Sequence, residues 1–387
     1  MNALWYYAIA FVVIWIIAIV FRKKLVDYGV DVGFPTIMWK TKRLRGFIDR
    51  LANLSPKFWK WFMNIGIVIS FIAMIFMTYM IFDSLSTITQ TPSVSLVIPG
   101  VEIPGSPIFI PFTYGIIGIA TVIIIHEFFH GILTRVEKID INSIGLILFT
   151  ILPGAFVEPD EEEMEKTTKL SRMRIYAAGS IGNVSLFVVA FLISLAITSF
   201  VIPGTFNETG IQIERVISDT PAYNASLTSG MIIQSINGHN ITDLNSYSLA
   251  VSSLKPGEMV NVVTNTGQYN FAAGKNPNNA SVGFMGVQGV KHYELDSSVS
   301  NIFGNQLPWV WFDLVEMFTW ISFLNLAVGL FNLLPMKPLD GGHLLENLLS
   351  FKLPSKIVKP VMMLVSWFMI FIIAISLIAG LGIGLFS

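Results

Sequence analysis

The run Ile123-Ile124-Ile125-His126-Glu127-Phe128-Phe129-His130-Gly131-Ile132-Leu133 decides how this chain is read. It lies inside an apolar segment, roughly 112–134, and places three ionisable side chains within five residues. One charged group near mid-bilayer costs at least about 2.5 kcal/mol even on insertion scales. A chain does not usually retain such a cluster unless it faces a polar, metal-filled interior. On a helix, residues four apart share a face, so the imidazoles of His126 and His130 can grip one metal ion. Glu127, one residue along, can reach a water on that metal without itself being a ligand. The bland alternative is a polar knot that joins two helices by hydrogen bonds.

Working outward, composition sets the class. Of 387 residues, 53% are hydrophobic and 13% charged, and the mean hydropathy is +0.67. Soluble domains carry about 25% charged residues, so most of this chain must face lipid. A formal net charge of -1 provides no basic footprint for nucleic acid. The chain has no cysteine, which excludes disulfide staples, thiolate nucleophiles and Cys-ligated metal. Residues 2–21 lack a basic start, and Arg22-Lys23-Lys24 follow the apolar run. That order fits a retained membrane anchor better than a cleaved leader.

About 20 apolar residues cross a bilayer as a helix. Six segments qualify: roughly 4–21, 61–82, 112–134, 175–202, 309–334 and 358–385. Between the fourth and fifth lies a stretch rich in Asn, Ser, Thr and Gly, with short alternating apolar runs, which reads as a soluble domain with much β-structure. The expected fold is therefore a polytopic α-helical membrane protein with an inserted α+β domain. Its expected parts are 1–110 (two helices and a basic loop), 111–203 (first half of a membrane core), 204–300 (the soluble insert) and 301–387 (second half).

Charge asymmetry orients the set. Segment 22–60 carries ten Lys and Arg, 135–174 six and 335–360 four, whereas the loop 83–111 carries none. The basic segments are expected in the cytoplasm, with both termini and the insert outside. Four N-x-[ST] triplets in the insert, at Asn207, Asn224, Asn240 and Asn279, agree with an extracytoplasmic domain.

Catalytic zinc usually takes three protein ligands and keeps one position open. The expected third ligand is Asp340, in Asn332-Leu333-Leu334-Pro335-Met336-Lys337-Pro338-Leu339-Asp340-Gly341-Gly342-His343. Pro335 and Pro338 interrupt the fifth helix and the glycine pair lets the backbone bend. Broken helix at membrane depth is tolerated only where it lines a cavity or packs in protein. His130 lies close to the cytoplasmic end of the third span, just before Arg135, and Asp340 follows the cytoplasmic end of the fifth, so they are expected at one depth. His343, nearby, stays outside the expected ligand set.

With H-E-x-x-H at His126–His130 and N-x-x-P-x(4)-D-G at Asn332–Gly341 in order, the chain resembles the site-2 proteases, a family of membrane-embedded zinc metalloproteases. The run Ala177-Ala178-Gly179-Ser180-Ile181-Gly182-Asn183 resembles that family's small-residue motif, with Ser180 where Pro is frequent. The resemblance implies a multi-pass cell-membrane enzyme. It implies that Zn2+ is held by His126, His130 and Asp340, with Glu127 as general base. Asn332, and more weakly Asn183, are expected to donate to substrate or oxyanion. Segment 141–160 matches the family's membrane-dipping β-hairpin, whose edge, including Gly154, is expected to meet the substrate chain. The expected partners are single-span membrane proteins and the lipid bilayer. The insert resembles a PDZ domain through Ser218-Asp219-Thr220-Pro221-Ala222 and Gly230–Gly238. Strand 210–213, around Ile211, is expected to capture peptide by adding a strand to a sheet edge.

Two other classes use similar residues. Intramembrane His and carboxylate groups also mark metal-ion pathways, but the chain shows no inverted repeat. A catalytically dead peptide receptor would not need Glu127.

Overall fold

In hydrocarbon each backbone N–H and C=O must be paired within the chain, so apolar runs of this length fold as helices. A computed structural model describes residues 3–42, 44–87, 97–103, 106 and 108–386; residues 88–96 of the cation-free loop lie outside these. In chain order the first part holds α1 (Ala3–Val20), β1 (Val30–Gly33), β2 (Thr36–Thr41), α2 (Arg45–Leu54), α3 (Pro56–Ser84) and α4 (Phe112–Val136). Next come β3 (Ile141–Phe149), β4 (Leu152–Pro159) and α5 (Lys169–Ala196), which a π-turn carries on towards Thr205. Among the described residues, five helices are long and apolar enough to cross a membrane: Pro56–Ser84, Phe112–Val136, Lys169–Thr205, Leu307–Phe331 and Ser355–Ala379. The first expected span forms α1, which is apolar and shorter than these.

The chain divides into two compact units, 1–194 with 316–387, and 195–315. In the first, β1-β2-β3-β4 make one antiparallel sheet. The expected hairpin over 141–160 is there, pairing Leu146 with Ala155 and Ile144 with Val157. A second hairpin, from the basic segment, pairs along it, Trp39 against Leu146. Apolar side chains at the sheet's tip, Phe34, Phe149 and Leu152, are exposed. The Trp15 indole N–H, in the second half of α1, donates to the Thr150 carbonyl at 2.8 Å, and its ring lies edge-on to Phe34. The tip of the sheet thus lies against the second half of an apolar helix.

Small residues let the helices of this unit close on one another. Ala177, Ala178, Ser180 and Asn183 on α5 are fully buried, and Ala177 and Ala178 share a core with Ile132, Leu133, Leu333 and Leu344. At the end of α4 the buried Glu137 carboxylate accepts from Ser171 (2.7 Å), Arg174 (2.9 Å) and Lys60 (3.2 Å). Burial alone would push this carboxyl up; those three donors together hold it below the usual glutamate range.

The second unit contains β5 (Phe206–Val216), β6 (Ile232–Ile236), β7 (His239–Asn240), α6 (Leu244–Ser252), β8 (Met259–Thr264), β9 (Gly267–Ala272), β10 (Gly274–Asn276), β11 (Asn279–Phe284) and β12 (Val287–Leu295). The main sheet runs β12-β5-β6-β8-β9, with β7 on β6 and β10-β11 apart. Ile211, Ile213, Ile233, Ile236, Val260 and Val262 fill its core, and a capping box between Asp243 and Ser246 starts α6. This corrects one expectation. Strand 210–213 offers no free edge, because β5 lies between β12 and β6: Ile211 pairs with Lys291 on one side and Ile233 on the other. Its side chain is fully buried, so a peptide strand cannot add there.

The chain then returns to the first unit through α7 (Val310–Phe331), α8 (Asp340–Leu349) and α9 (Ser355–Phe386). The helix break falls at 332–339, where Pro335 and Pro338 stand.

Candidate metal centre

α4 carries His126, Glu127 and His130 in its second half, and α8 begins at Asp340. What brings Asp340 to the histidines is the broken segment. Beyond Phe331 the chain turns back on itself, and the Gly341 N–H donates to the Asn332 carbonyl at 2.8 Å. A Cβ at Gly341 would lie 2.2 Å from the Leu333 carbonyl oxygen, a distance no side chain survives, so only glycine permits this return. Asp340, in the first turn of α8, also complements the positive end of that helix.

Three ligand atoms converge. The Nε2 atoms of His126 and His130 are 3.2 Å apart, and Asp340 Oδ2 lies 3.4 Å from the first and 3.3 Å from the second. A tetrahedral zinc ion with bonds of about 2.05 Å holds neighbouring ligand atoms about 3.3 Å apart. The triangle therefore has the edge length zinc requires. Among the described residues this is the one group of His and carboxylate side chains so arranged. Space is kept as well: a Cβ at Gly179 would stand 2.4 Å from His130 Nε2 and 2.6 Å from His126 Nε2. Two nitrogens and one oxygen, mostly buried, form a donor set suited to catalytic zinc, and the residues fit the ion.

Outer partners hold the ligands. His130 Nδ1 bonds the Ile175 carbonyl at 2.8 Å, which leaves Nε2 for metal. The Ser180 hydroxyl donates to Asp340 Oδ2 at 3.3 Å. Asn183 lies with its amide nitrogen 3.3 Å from His126 Nδ1. Glu127 stays out of the triangle: its Oε2 accepts from the Val157 backbone N–H at 3.0 Å. Val157 is on β4, whose other side pairs with β3. In an antiparallel ladder alternate residues point their backbone groups to opposite sides, so the edge of β4 that bears Val157 N–H faces Glu127.

The remaining expected residues fall as follows. Gly154 pairs with Ile147 and, being odd-numbered steps from Val157, turns its backbone towards β3. Asn332 contributes its carbonyl to the helix break. Asn183 reaches His126, and Ile211 belongs to the other unit. His343 stacks on Tyr176, ring centres 5.1 Å apart. Sequence reasoning did not single out Val157, Gly179 or Ile175; only Gly179 carried a signal, as one of a run of small residues on α5.

A family model described as Peptidase family M50 matches residues 114–373. A similar sequence is "Uncharacterized protein MJ0971" of Methanocaldococcus jannaschii, 28% identical over 337 residues, covering 86% of this chain and 82% of that one. Among solved structures, the PDZ domain of the SdrC-like protein Lmo2051 from Listeria monocytogenes is 21% identical with a TM-score of 0.19, covering 21% of this chain and 87% of that one.

Proposed function

Because the chain belongs to peptidase family M50, and so is a multi-pass membrane metallopeptidase, we propose that it hydrolyses peptide bonds within transmembrane segments of single-span membrane proteins. The observation that carries this reading is the triangle of His126, His130 and Asp340 with Glu127 beside it on an apolar helix. Zinc held there would polarise the scissile carbonyl and lower the pKa of a water from its bulk value towards about 7. Glu127 accepts the proton of the attacking water and returns it to the leaving nitrogen. Asn332, in the same broken segment as Asp340, donates to the substrate backbone or the developing oxyanion.

The open edge of β4 receives the substrate. A transmembrane helix hides its amides in internal hydrogen bonds, and unwinding it in lipid leaves polar groups unpaired at several kcal/mol each. Pairing with β4 offsets that cost and lays the strand against Glu127. Exposed apolar residues at the tip of the sheet, and the Trp15 contact, support a site at membrane depth. In this reading the basic segments are cytoplasmic and the PDZ-like insert, with the 204–300 core expected from sequence, is extracytoplasmic. A reporter series tests the substrate class. Pro or Gly in the cytoplasmic third of a span should speed cleavage over an all-Leu span, with the cut mapped inside the span by mass spectrometry. Equal rates, or a cut outside the span, would sink this reading.

A further inference from the structure

We propose that Asn183 positions His126 for metal binding, its side-chain oxygen accepting the Nδ1–H of that ring; the inference rests on the zinc-site reading above. A neutral imidazole that gives Nε2 to a metal must carry its proton on Nδ1. Nδ1 of His126 is thus a donor, and the group facing it must accept. The partner atom there is the Asn183 amide, its nitrogen at 3.3 Å. With that orientation two donors face each other, while Asn183 Oδ1 is buried without a partner. A half-turn of the amide exchanges nitrogen and oxygen in nearly the same volume. It then pairs the orphaned acceptor with the ring N–H.

The two zinc histidines are then held by the same device from one helix. His130 donates to the Ile175 carbonyl at 2.8 Å, and His126 donates to a side-chain carbonyl two turns further along α5. The Gly179 carbonyl also borders His126 and is the backbone alternative to Asn183 as acceptor for that ring, which the variants below separate. Asn183 is itself immobile: it is fully buried, and Gly329 of α7 leaves only a narrow space beside its Cβ, a Cβ there falling at 3.1 Å. A group so fixed is suited to setting a ring, not to following a substrate.

Zinc affinity measured by chelator competition on the full-length protein in detergent tests this, with Asn183→Leu and Asn183→Asp beside the wild type. Losing an outer partner of a zinc histidine typically costs 10–100-fold in affinity. Asn183→Leu should show a loss of about that size with a distorted spectrum of the cobalt-substituted site, and Asn183→Asp, an acceptor in every state, should bind zinc nearly as the wild type does. Wild-type affinity in the Leu variant would overturn the proposal alone, showing that the Gly179 carbonyl suffices. Equal losses in both variants would also overturn it, since an acceptor would then not be what matters. Wild-type protein that binds no zinc would overturn this inference and the metal centre together. If Asn183→Leu fails to fold, histidine 15N resonances of the zinc-loaded wild type decide: Nδ1 of His126 must carry a hydrogen-bonded proton, and a bare Nδ1 refutes the assignment.

Discussion

The Glu127 carboxylate and the Val157 backbone N–H are hydrogen-bonded at 3.0 Å, joining the proposed general base to the open edge of a β-strand. One contact thereby fixes the distance between the proton acceptor and any chain that pairs with β4. Proline at 157 removes that N–H, and an edge strand tolerates it where the N–H points away from the ladder. General bases contribute about 10²–10⁴-fold. Val157→Pro is expected to keep its zinc and lose about tenfold or more in cleavage rate, while Val157→Ala cleaves like the wild type. Turnover assays with metal analysis on both variants check it; unchanged turnover in the proline variant would separate the strand from the base.

Gly179 stands against both His126 and His130 through the side chain it lacks. A methyl group there would stand 2.4 Å from His130 Nε2, and the buried α5 backbone has no room to retreat. Gly179→Ala should therefore purify with much less than one zinc per chain while keeping its helix content by circular dichroism. Full zinc occupancy in that variant would mean that the rings can shift without losing the ion.

How much of this was legible beforehand follows from what sequence encodes. The convergence of His126, His130 and Asp340 was, because H-E-x-x-H has helical spacing and the stretch from Pro335 to Gly342 has breaker chemistry; both are local signals. The 141–160 hairpin was expected from the family resemblance, while its own residues said only that Pro153-Gly154 would break a helix; that pair lies inside β4 and not in the turn. Hairpin 30–41 was not, since its strands lie in a basic segment and gain their partner from β3, over a hundred residues away. Ile211 shows the limit from the other side. Its strand was recognised, but whether a strand is central or at an edge depends on which others pair with it, and β12 arrives about eighty residues later. The Val157 and Asn183 contacts rest on the same kind of long-range meeting.

The Glu137 cluster ties α3, α4 and α5 together and makes stability depend on pH. Because this carboxyl is held below its ordinary value of about 4.3, its contribution is present above that value and disappears as pH falls through the lower folded one. Breaking a buried pair by removing one partner costs about 3–5 kcal/mol, somewhat less here because Lys60 is 40% exposed. Glu137→Gln should unfold well below the wild type at pH 7, with the gap closing in acid. Thermal midpoints in detergent against pH check this; a gap that persists at low pH would place the stabilisation elsewhere.

Orientation is testable on a chain that has no cysteine of its own. Cysteine at the exposed position Ser229 should react with an impermeant thiol reagent added outside intact cells. Cysteine at the exposed position Glu162 should react only after permeabilisation. The reverse pattern would invert the proposed topology and move the insert into the cytoplasm.

The central claim is that Glu127 moves the proton in a zinc-dependent cut and does not hold the metal. The direct measurement is zinc content and cleavage, on the same purified preparation, for wild type, Glu127→Gln and His126→Ala reconstituted with a single-span reporter. The account predicts one zinc per chain in the wild type and in Glu127→Gln, cleavage in the wild type alone with at least about a hundredfold loss in Glu127→Gln, and neither zinc nor cleavage in His126→Ala. Cleavage by Glu127→Gln at the wild-type rate, or loss of its zinc, would contradict it.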